Sequence, residues 1–484
     1  MSHPIHPTAA APLGHRTEAE LLAGLPPVRA VPASEVAAAI SGGRRLVVLD
    51  DDPTGTQTVA DVPVLTDWTV EDLRWALRQN SGAFFVLTNT RSLDAADAAE
   101  RNRQVVRALV EASKAEGVDF VLASRSDSTL RGHFPLETDT LADELAAVGA
   151  GETDGVVVVP AYIEAGRLTV DSRHWMRTAE GMLPVGESEF ARDATFGYTN
   201  SRLPEWVEEK TAGRTEAADV VRVTLDDLRV HGPEHVAAQL GGLSAGRTAV
   251  VDATCDDDLR VLALACALAE SRGSRLLYRV GPSFVRARAG QAARDPLSAA
   301  ELGAPAAPHG LIAVGSHVGL TTRQLNRLRE EGGLAEFELD VRQLMDDERR
   351  SAHIAEVSAA AADAMATQDV VVRTSRTVVT GADADASLAI SRGVSAALVE
   401  AVRAVTGART PAFVVAKGGI TSSDTATEAL EIRRAWARGT LLPGIVSLWE
   451  PVAGRAAGIP YIVFAGNVGG DDALADAVRL LRSR

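Results

Sequence analysis

The sequence predicts an α/β protein of two domains, each a mostly parallel sheet flanked by helices, with the active site in the interdomain cleft. Three observations carry this reading. From Leu46 onward, apolar runs of strand length alternate with helical segments, the rhythm of βαβ units. The chain has 484 residues, too many for one ordinary core. Polar or glycine-rich turns recur directly after the apolar runs, where open parallel sheets present their ligand-binding loops.

Taken in order, residues 1–42 read as an N-terminal extension rich in His, Pro and Ala with two short helical patterns, at 18–22 and 34–40. The first domain, 43–295, opens on a strand at 47–49. A helix near 70–78, a strand at 83–87, a long helix near 95–115 and a strand at 120–123 follow. A helix near 136–148, a strand at 156–159 and the stretches 220–223, 235–240 and 249–252 continue the series. Between Gly281 and His309 periodicity is lost among Arg286, Arg288, Arg294, Pro296, Pro305 and Pro308, and 296–309 is read as the connection. The second domain, 310–484, runs through strands at 310–315, 370–373, 412–416 and 461–464, with helices near 357–366 and 384–406.

Composition narrows the function classes. A formal charge of −16 repels nucleic acid and anionic membranes over most of the surface. The longest apolar runs, such as 155–159 and 412–416, are too short to span a bilayer. No basic segment followed by an apolar one stands near the N-terminus, so the expected setting is cytoplasmic. Cys255 and Cys266 lie in or beside an Ala/Leu-rich stretch and read as small buried hydrophobes, and neither CxxC nor HExxH occurs. Only three lysines are present, Lys114, Lys210 and Lys417, the last directly before Gly418 and Gly419.

The strongest signal is the strand that runs into Asp50, Asp51 and Asp52, followed by Pro53, Thr54 and Gly55. Three adjacent carboxylates repel one another, and a structural turn rarely needs more than one. Further strand-end motifs are Thr88 to Ser92 with Arg91, Ser124 to His133 with Asp127, Ser128 and Arg131, and Pro160 to Arg167. If these four ends line one cleft, carboxylates, hydroxyls and arginines meet there, a mixture suited to a polyhydroxylated acid: the planar guanidinium takes the carboxylate, while Asp and Ser sort the hydroxyls. His133, at a helix start, reads equally well as a cap or packing residue.

The second half carries three glycine/hydroxyl turns between a strand and a helix: Gly315-Ser316, Lys417-Gly418-Gly419-Ile420-Thr421, and Gly466-Asn467-Val468-Gly469. Glycines let backbone amides approach phosphate oxygens, so the trio points to a nucleotide or phosphate site. Neither GxxxxGK[ST] nor a well-placed GxGxxG occurs, which argues against a P-loop NTPase and the usual dinucleotide fingerprint.

In this order the motifs resemble the four-carbon acid sugar kinase family over about residues 45–470. The resemblance rests on Asp51-Asp52-Pro53-Thr54-Gly55, Asp127-Ser128-Thr129-Leu130-Arg131-Gly132, Gly315-Ser316 with Thr321 and Gln324, and the two later glycine turns. It implies a sugar-acid-binding first domain, a nucleotide-binding second domain, and ATP with Mg²⁺ as cofactors. It implies that Asp51, Asp52, Arg91, Asp127, Ser128, Arg131 and Arg167 face the acceptor, and that Ser316, Gly418, Gly419, Ile420, Thr421 and Gly466 contact ATP. Asp51 or Asp52 would accept the hydroxyl proton or help hold Mg²⁺, Arg91 and Arg131 would bind the acid's carboxylate, and Lys417 would offset phosphate charge. Pro53, the third carboxylate and Thr56-Gln57-Thr58 depart from the family pattern and mark a distinct branch. A non-catalytic sugar-acid sensor and an NAD-dependent hydroxy-acid dehydrogenase are the rival classes; the latter lacks its fingerprint here. A homodimer is the default assembly.

Overall fold

Val47, Val48 and Leu49 are all buried, as expected for a parallel strand covered on both faces. The computed structural model that places them describes residues 13–377, 379, 384–443 and 445–483, so the first twelve residues of the extension lie outside the described residues. The chain forms two units: Met1–Asp51 with Leu93–Ala292, and Asp52–Ser92 with Ala293–Arg484.

In the first unit the sheet order is Arg45–Asp50, Phe120–Arg125, Leu276–Val280, Gly155–Val159, Arg247–Val251, Val221–Val223, with every pairing parallel. All their carboxyl ends therefore lie along one edge. The helix Ala95–Glu116 starts where the Asp94 side chain accepts the Asp97 N–H, and stops at Gly117, whose left-handed backbone suits a residue without Cβ. Its buried stripe of Ala98, Asn102, Val105, Val106 and Leu109 follows the helical period.

Sequence periodicity missed an antiparallel sheet of Arg167–Val170, Arg173–Thr178 and Gly181–Pro184. These strands are short, and their buried side chains mix polar Thr169 and His174 with Leu168, Trp175 and Met182, which pack with Leu21 of the extension. The described part of the extension is thus built into the fold, with Thr17 and Glu20 forming a capping box and Val36 fully buried. The expected loose stretch after Gly281 also begins as structure. Pro282–Arg288 is a buried helix whose arginines are matched, Arg288 to Glu270 at 2.6 Å and Arg286 to Asp256 at 2.6 Å.

In the second unit the order is Leu334–Leu339, Asp369–Thr374, Leu311–Val314, Val414–Lys417, Tyr461–Phe464, Ile445–Pro451, Arg434–Leu442, Val62–Leu65, Ala83–Leu87. The first five strands run parallel. Residues 52–92 depart from the linear division into 43–295 and 310–484 because Val62–Leu65 pairs with Arg434–Leu442. Asp72, 1% exposed, anchors that pairing by accepting from Arg433 and Arg434 at 2.6 Å each, partners as far as 362 positions away. Thr56 adds hydrogen bonds to Ser447 and Trp449 at 2.8 and 2.9 Å. Among the described residues no helix is long and apolar enough to cross a membrane.

Candidate functional site

Parallel register sets Asp50 opposite Arg125 at the carboxyl ends of neighbouring strands. Arg125 Nη1 lies 2.8 Å from Asp50 Oδ1 and 3.5 Å from Asp51 Oδ1, and the Asp51 N–H donates to the Arg125 carbonyl at 3.3 Å. Asp50 and Asp51 are each 2% exposed, so a shared guanidinium offsets the repulsion between the first two of the three carboxylates. Arg125 was not singled out from sequence. Its signal was its position at the end of a strand beside the Asp-bearing one.

The loop 127–132 returns to the same place. A Cβ on Gly132, whose φ is +118°, would stand 2.8 Å from Arg279 Nη2 and 3.1 Å from Asp51 Oδ2, so only glycine lets this backbone pass the carboxylate. Asp127 accepts from the Thr129 hydroxyl and, at 2.6 Å, from Arg131 Nε. Arg131 also lies 3.6 Å from Asp193 Oδ2 and over the Phe190 ring, so much of its charge is already engaged.

Two side chains that sequence reasoning passed over hold the loop's backbone from beneath. His174 Nε2 lies 2.8 Å from the Ser128 carbonyl, and the Tyr198 hydroxyl donates to the Thr129 carbonyl at 2.5 Å. A carbonyl only accepts, so Nε2 carries the His174 proton and Nδ1 accepts from Thr169, 2.9 Å away. Complete burial pushes the His174 pKa down to about 4. Arg167 donates to the Ala165 carbonyl, yet its Nε is buried without a hydrogen-bond partner among the described residues. Burial lowers its pKa, while the neighbouring Asp127 carboxylate works the other way. His133 packs edge-on against Phe196, with Nε2 3.1 Å from the Leu93 carbonyl.

Asp52 and Arg91 belong to the second unit, so the four strand ends do not all fall in one unit. Asp52 caps the 3₁₀ helix Pro53–Thr58, accepting the Thr54 N–H at 2.9 Å. Its other oxygen lies 3.8 Å from Arg91 Nη2 and 3.9 Å from where a Cβ of Gly419 would stand. The Asp52 side chain is 25% exposed, far more open than that of Asp51.

The three glycine turns sit at the ends of adjacent parallel strands, Leu311–Val314, Val414–Lys417 and Tyr461–Phe464. They interlock closely. A Cβ on Gly315 would collide with Thr421 Oγ1, one on Gly418 would stand 2.7 Å from the same atom, and one on Gly466 would collide with Ser316 Oγ. The Thr321 hydroxyl lies 3.0 Å from both Ser316 Oγ and the Gly466 carbonyl, and Gln324 Nε2 donates to the carbonyls of Val468 and Gly470 at 3.0 and 2.8 Å. Ser316, Gly418, Gly419, Thr421 and Gly466 thus form one constellation, flanked by the exposed side chains of Ile420 and Val318. Arg376, missed from sequence, donates to the Ser316 carbonyl and, at 2.7 Å, to Thr322 Oγ1 from the end of the next strand, Asp369–Thr374.

Lys417 corrects one expectation. Its side chain is fully buried, with Nζ 2.6 Å from the Ala465 carbonyl and 3.8 Å from the Phe464 ring centroid, so it does not project a charge toward the turns' open side. Burial alone pushes its pKa down to about 7.

The glycine close approaches are of the kind a nucleotide cradle needs, with the N–H groups of Gly315, Ser316 and Gly418 spent on the Lys417 and Phe464 carbonyls. Among the described residues no group of three or more His, Cys, Asp or Glu is arranged to hold a metal ion. Mg²⁺ commonly takes one or two carboxylates together with phosphate oxygens, and Asp52 fits that lesser demand.

Residues 46–288 match the family model of a sugar-binding N-terminal domain, and 311–474 that of a nucleotide-binding C-terminal domain. D-threonate kinase of Bordetella bronchiseptica is 29% identical over 453 residues, which covers 92% of this chain and 99% of that one. Two crystal structures share the fold. A Salmonella typhimurium LT2 protein, crystallised as a tRNA synthase candidate, has a TM-score of 0.64 at 18% identity, covering 90% of this chain and 99% of its own. A Haemophilus influenzae protein has a TM-score of 0.61 at 19% identity, covering 90% and 100%.

Proposed function

Because the chain belongs to the four-carbon acid sugar kinase family, we propose that it transfers the γ-phosphate of ATP to a hydroxyl of a small sugar acid of the threonate, erythronate or 3-oxo-tetronate type. The observation that carries the reading is the interlocking of Gly315, Gly418 and Gly466 around Ser316 and Thr421, in a chain whose other unit sets a buried arginine donor, Arg167, beside Asp127 of the loop 127–132.

Phosphoryl transfer asks the protein to align the attacking hydroxyl and to neutralise charge. Bound ATP supplies the phosphoryl group and Mg²⁺ offsets its negative charge. Ser316, Gly418 to Thr421 and Gly466 would hold the nucleotide together with its metal ion. Arg167, with its spare Nε, and Arg131 would take the acid's carboxylate, while Asp127 and Ser128 would sort its hydroxyls. Asp52 is the better proton acceptor of the pair because its carboxylate is open, whereas Asp51 is buried between Arg125 and Gly132 and orients the loop. Arg91 holds Asp52 in place. A cytoplasmic enzyme, assembled as a homodimer, goes with this reading.

The test is ADP release from ATP and Mg²⁺ across a panel of D- and L-threonate, D- and L-erythronate and their 3-oxo forms. Release that depends on one acid is the expected result. Calorimetric binding of an acid with no ATP binding would replace the kinase with a sensor, and acid-dependent reduction of NAD would replace it with a dehydrogenase.

A further inference from the structure

A buried ammonium without a carboxylate is a costly thing to place inside a sheet, where an apolar side chain of similar length would fill the space without desolvation. Lys417 is such a group. Among the described residues its side chain makes no ion pair, and its Nζ meets only the Ala465 carbonyl and the face of Phe464. The same residue's backbone carbonyl accepts the N–H groups of both Gly315 and Ser316 at 3.2 Å, and the next N–H, of Gly418, donates to the Phe464 carbonyl at 2.8 Å. One residue therefore touches all three glycine turns: the first through its carbonyl, the second by preceding it in the chain, and the third through its ammonium.

The third link is the one that depends on the side chain. Ala465 and Gly466 leave the strand Tyr461–Phe464 with no following strand to hold them, and Gly466 must lie close enough to Ser316 that no Cβ fits between them. A donor on the Ala465 carbonyl fixes that approach. We infer that Lys417 is a positioning residue for the nucleotide, whose ammonium pins the Ala465–Gly466 turn against Ser316 so that the backbone cradle exists before the ligand arrives. This rests on the nucleotide-binding reading of the three turns. It replaces the charge-neutralising role that the sequence assigns to Lys417.

The experiment compares wild type, Lys417→Met and Lys417→Gln by calorimetric titration with MgATP, by KM for the acid, and by amide hydrogen exchange over 315–322 and 465–470. Lys417→Met removes the donor and leaves a buried carbonyl unsatisfied. It is expected to weaken MgATP binding about tenfold or more, to speed exchange in both segments, and to leave the acid's KM within about twofold. Lys417→Gln keeps an N–H for Ala465 without charge and is expected to recover most of the loss, which a charge-neutralising lysine would not allow. Unchanged exchange in Lys417→Met, faster exchange with unchanged MgATP affinity, or equal losses in Met and Gln would overturn the inference. Should the Met variant fail to fold, the Gln variant alone decides, because near-wild-type affinity supports positioning and a tenfold loss with unchanged exchange refutes it. Failure of wild type itself to bind MgATP would instead overturn the nucleotide reading.

Discussion

Gly466→Ala isolates the close approach on which the nucleotide reading depends. Gly466 does not occupy the left-handed region, so alanine brings no backbone strain, and its effect comes from the added methyl alone. That methyl would collide with Ser316 Oγ, stand 3.1 Å from Ser316 Cβ and touch Val318 Cγ2 at 3.7 Å. Rotating the hydroxyl away would forfeit its contact with Thr321 at 3.0 Å and still leave the Cβ contact inside the usual carbon–carbon separation of about 3.5–4.0 Å. The two turns must therefore part by several tenths of an ångström, which overpacking series put at about 1–3 kcal/mol. If that strain is relieved by opening the cradle, MgATP affinity falls about 5- to 150-fold. Gly470→Ala is the matched control, since its Cβ would meet nothing within 4 Å. Calorimetric titration of both variants, with thermal melts to separate binding from folding, reads the difference. MgATP affinity in Gly466→Ala within twofold of wild type, or an equal loss in Gly470→Ala, would refute the reasoning.

Asp52→Asn should lower turnover by about 10²–10⁴-fold while MgATP still binds, and unchanged turnover would remove Asp52 as the proton acceptor. Arg167→Met should raise the acid's KM more than about tenfold with little change in ATP affinity, as expected for loss of a buried carboxylate partner, and steady-state kinetics with each substrate varied in turn separates the two. The His174 pKa falls from 6.5 to about 4 on folding, so the unfolded chain binds the proton more tightly. Its contribution to stability is complete above about pH 6.5 and is lost as pH falls toward 4, about 3 kcal/mol in all. Urea unfolding of wild type and His174→Gln between pH 4 and 7.5 should differ by that slope, because the opposing contributions of Asp252 and Asp424, whose carboxyls burial raises to about 7 and about 6, are common to both.

What the sequence made legible is local. The apolar run into Asp50, the helix closed by Gly117 and the glycine turns after their strands are all written in consecutive residues, and the structure has strands, a helix and turns there. What it concealed depends on partners far along the chain. The helix near 70–78 and the strand at 83–87 read as part of the first domain, yet Asp72 joins them to Arg433 and Arg434. Arg286 and Arg288 read as loop residues because an arginine's burial is decided by its acid, and Glu164, Asp256 and Glu270 lie elsewhere in the sequence. Lys417 was legible as unusual, but the direction of its side chain was not: a lysine before two glycines reads as a phosphate hook until the Ala465 carbonyl is found beneath it.

The consecutive carboxylates carry the same lesson to the site. By sequence Asp51 and Asp52 are one motif with one role, and their order leaves the choice of base open. In the structure the boundary between the two units falls on the peptide bond that joins them. Asp51 ends the first segment of the first unit, held by Arg125 and covered by Gly132, so its carboxylate is committed to the loop 127–132. Asp52 begins the second, caps its own 3₁₀ helix with one oxygen and turns the other toward Arg91 and Gly419. Two like charges on neighbouring residues are tolerable because each is matched to a different arginine, and that division gives them different tasks. Asp51→Asn should therefore disturb the acceptor loop first, raising the acid's KM, whereas Asp52→Asn should strike turnover. Identical kinetic profiles for the two variants would return them to a single shared role.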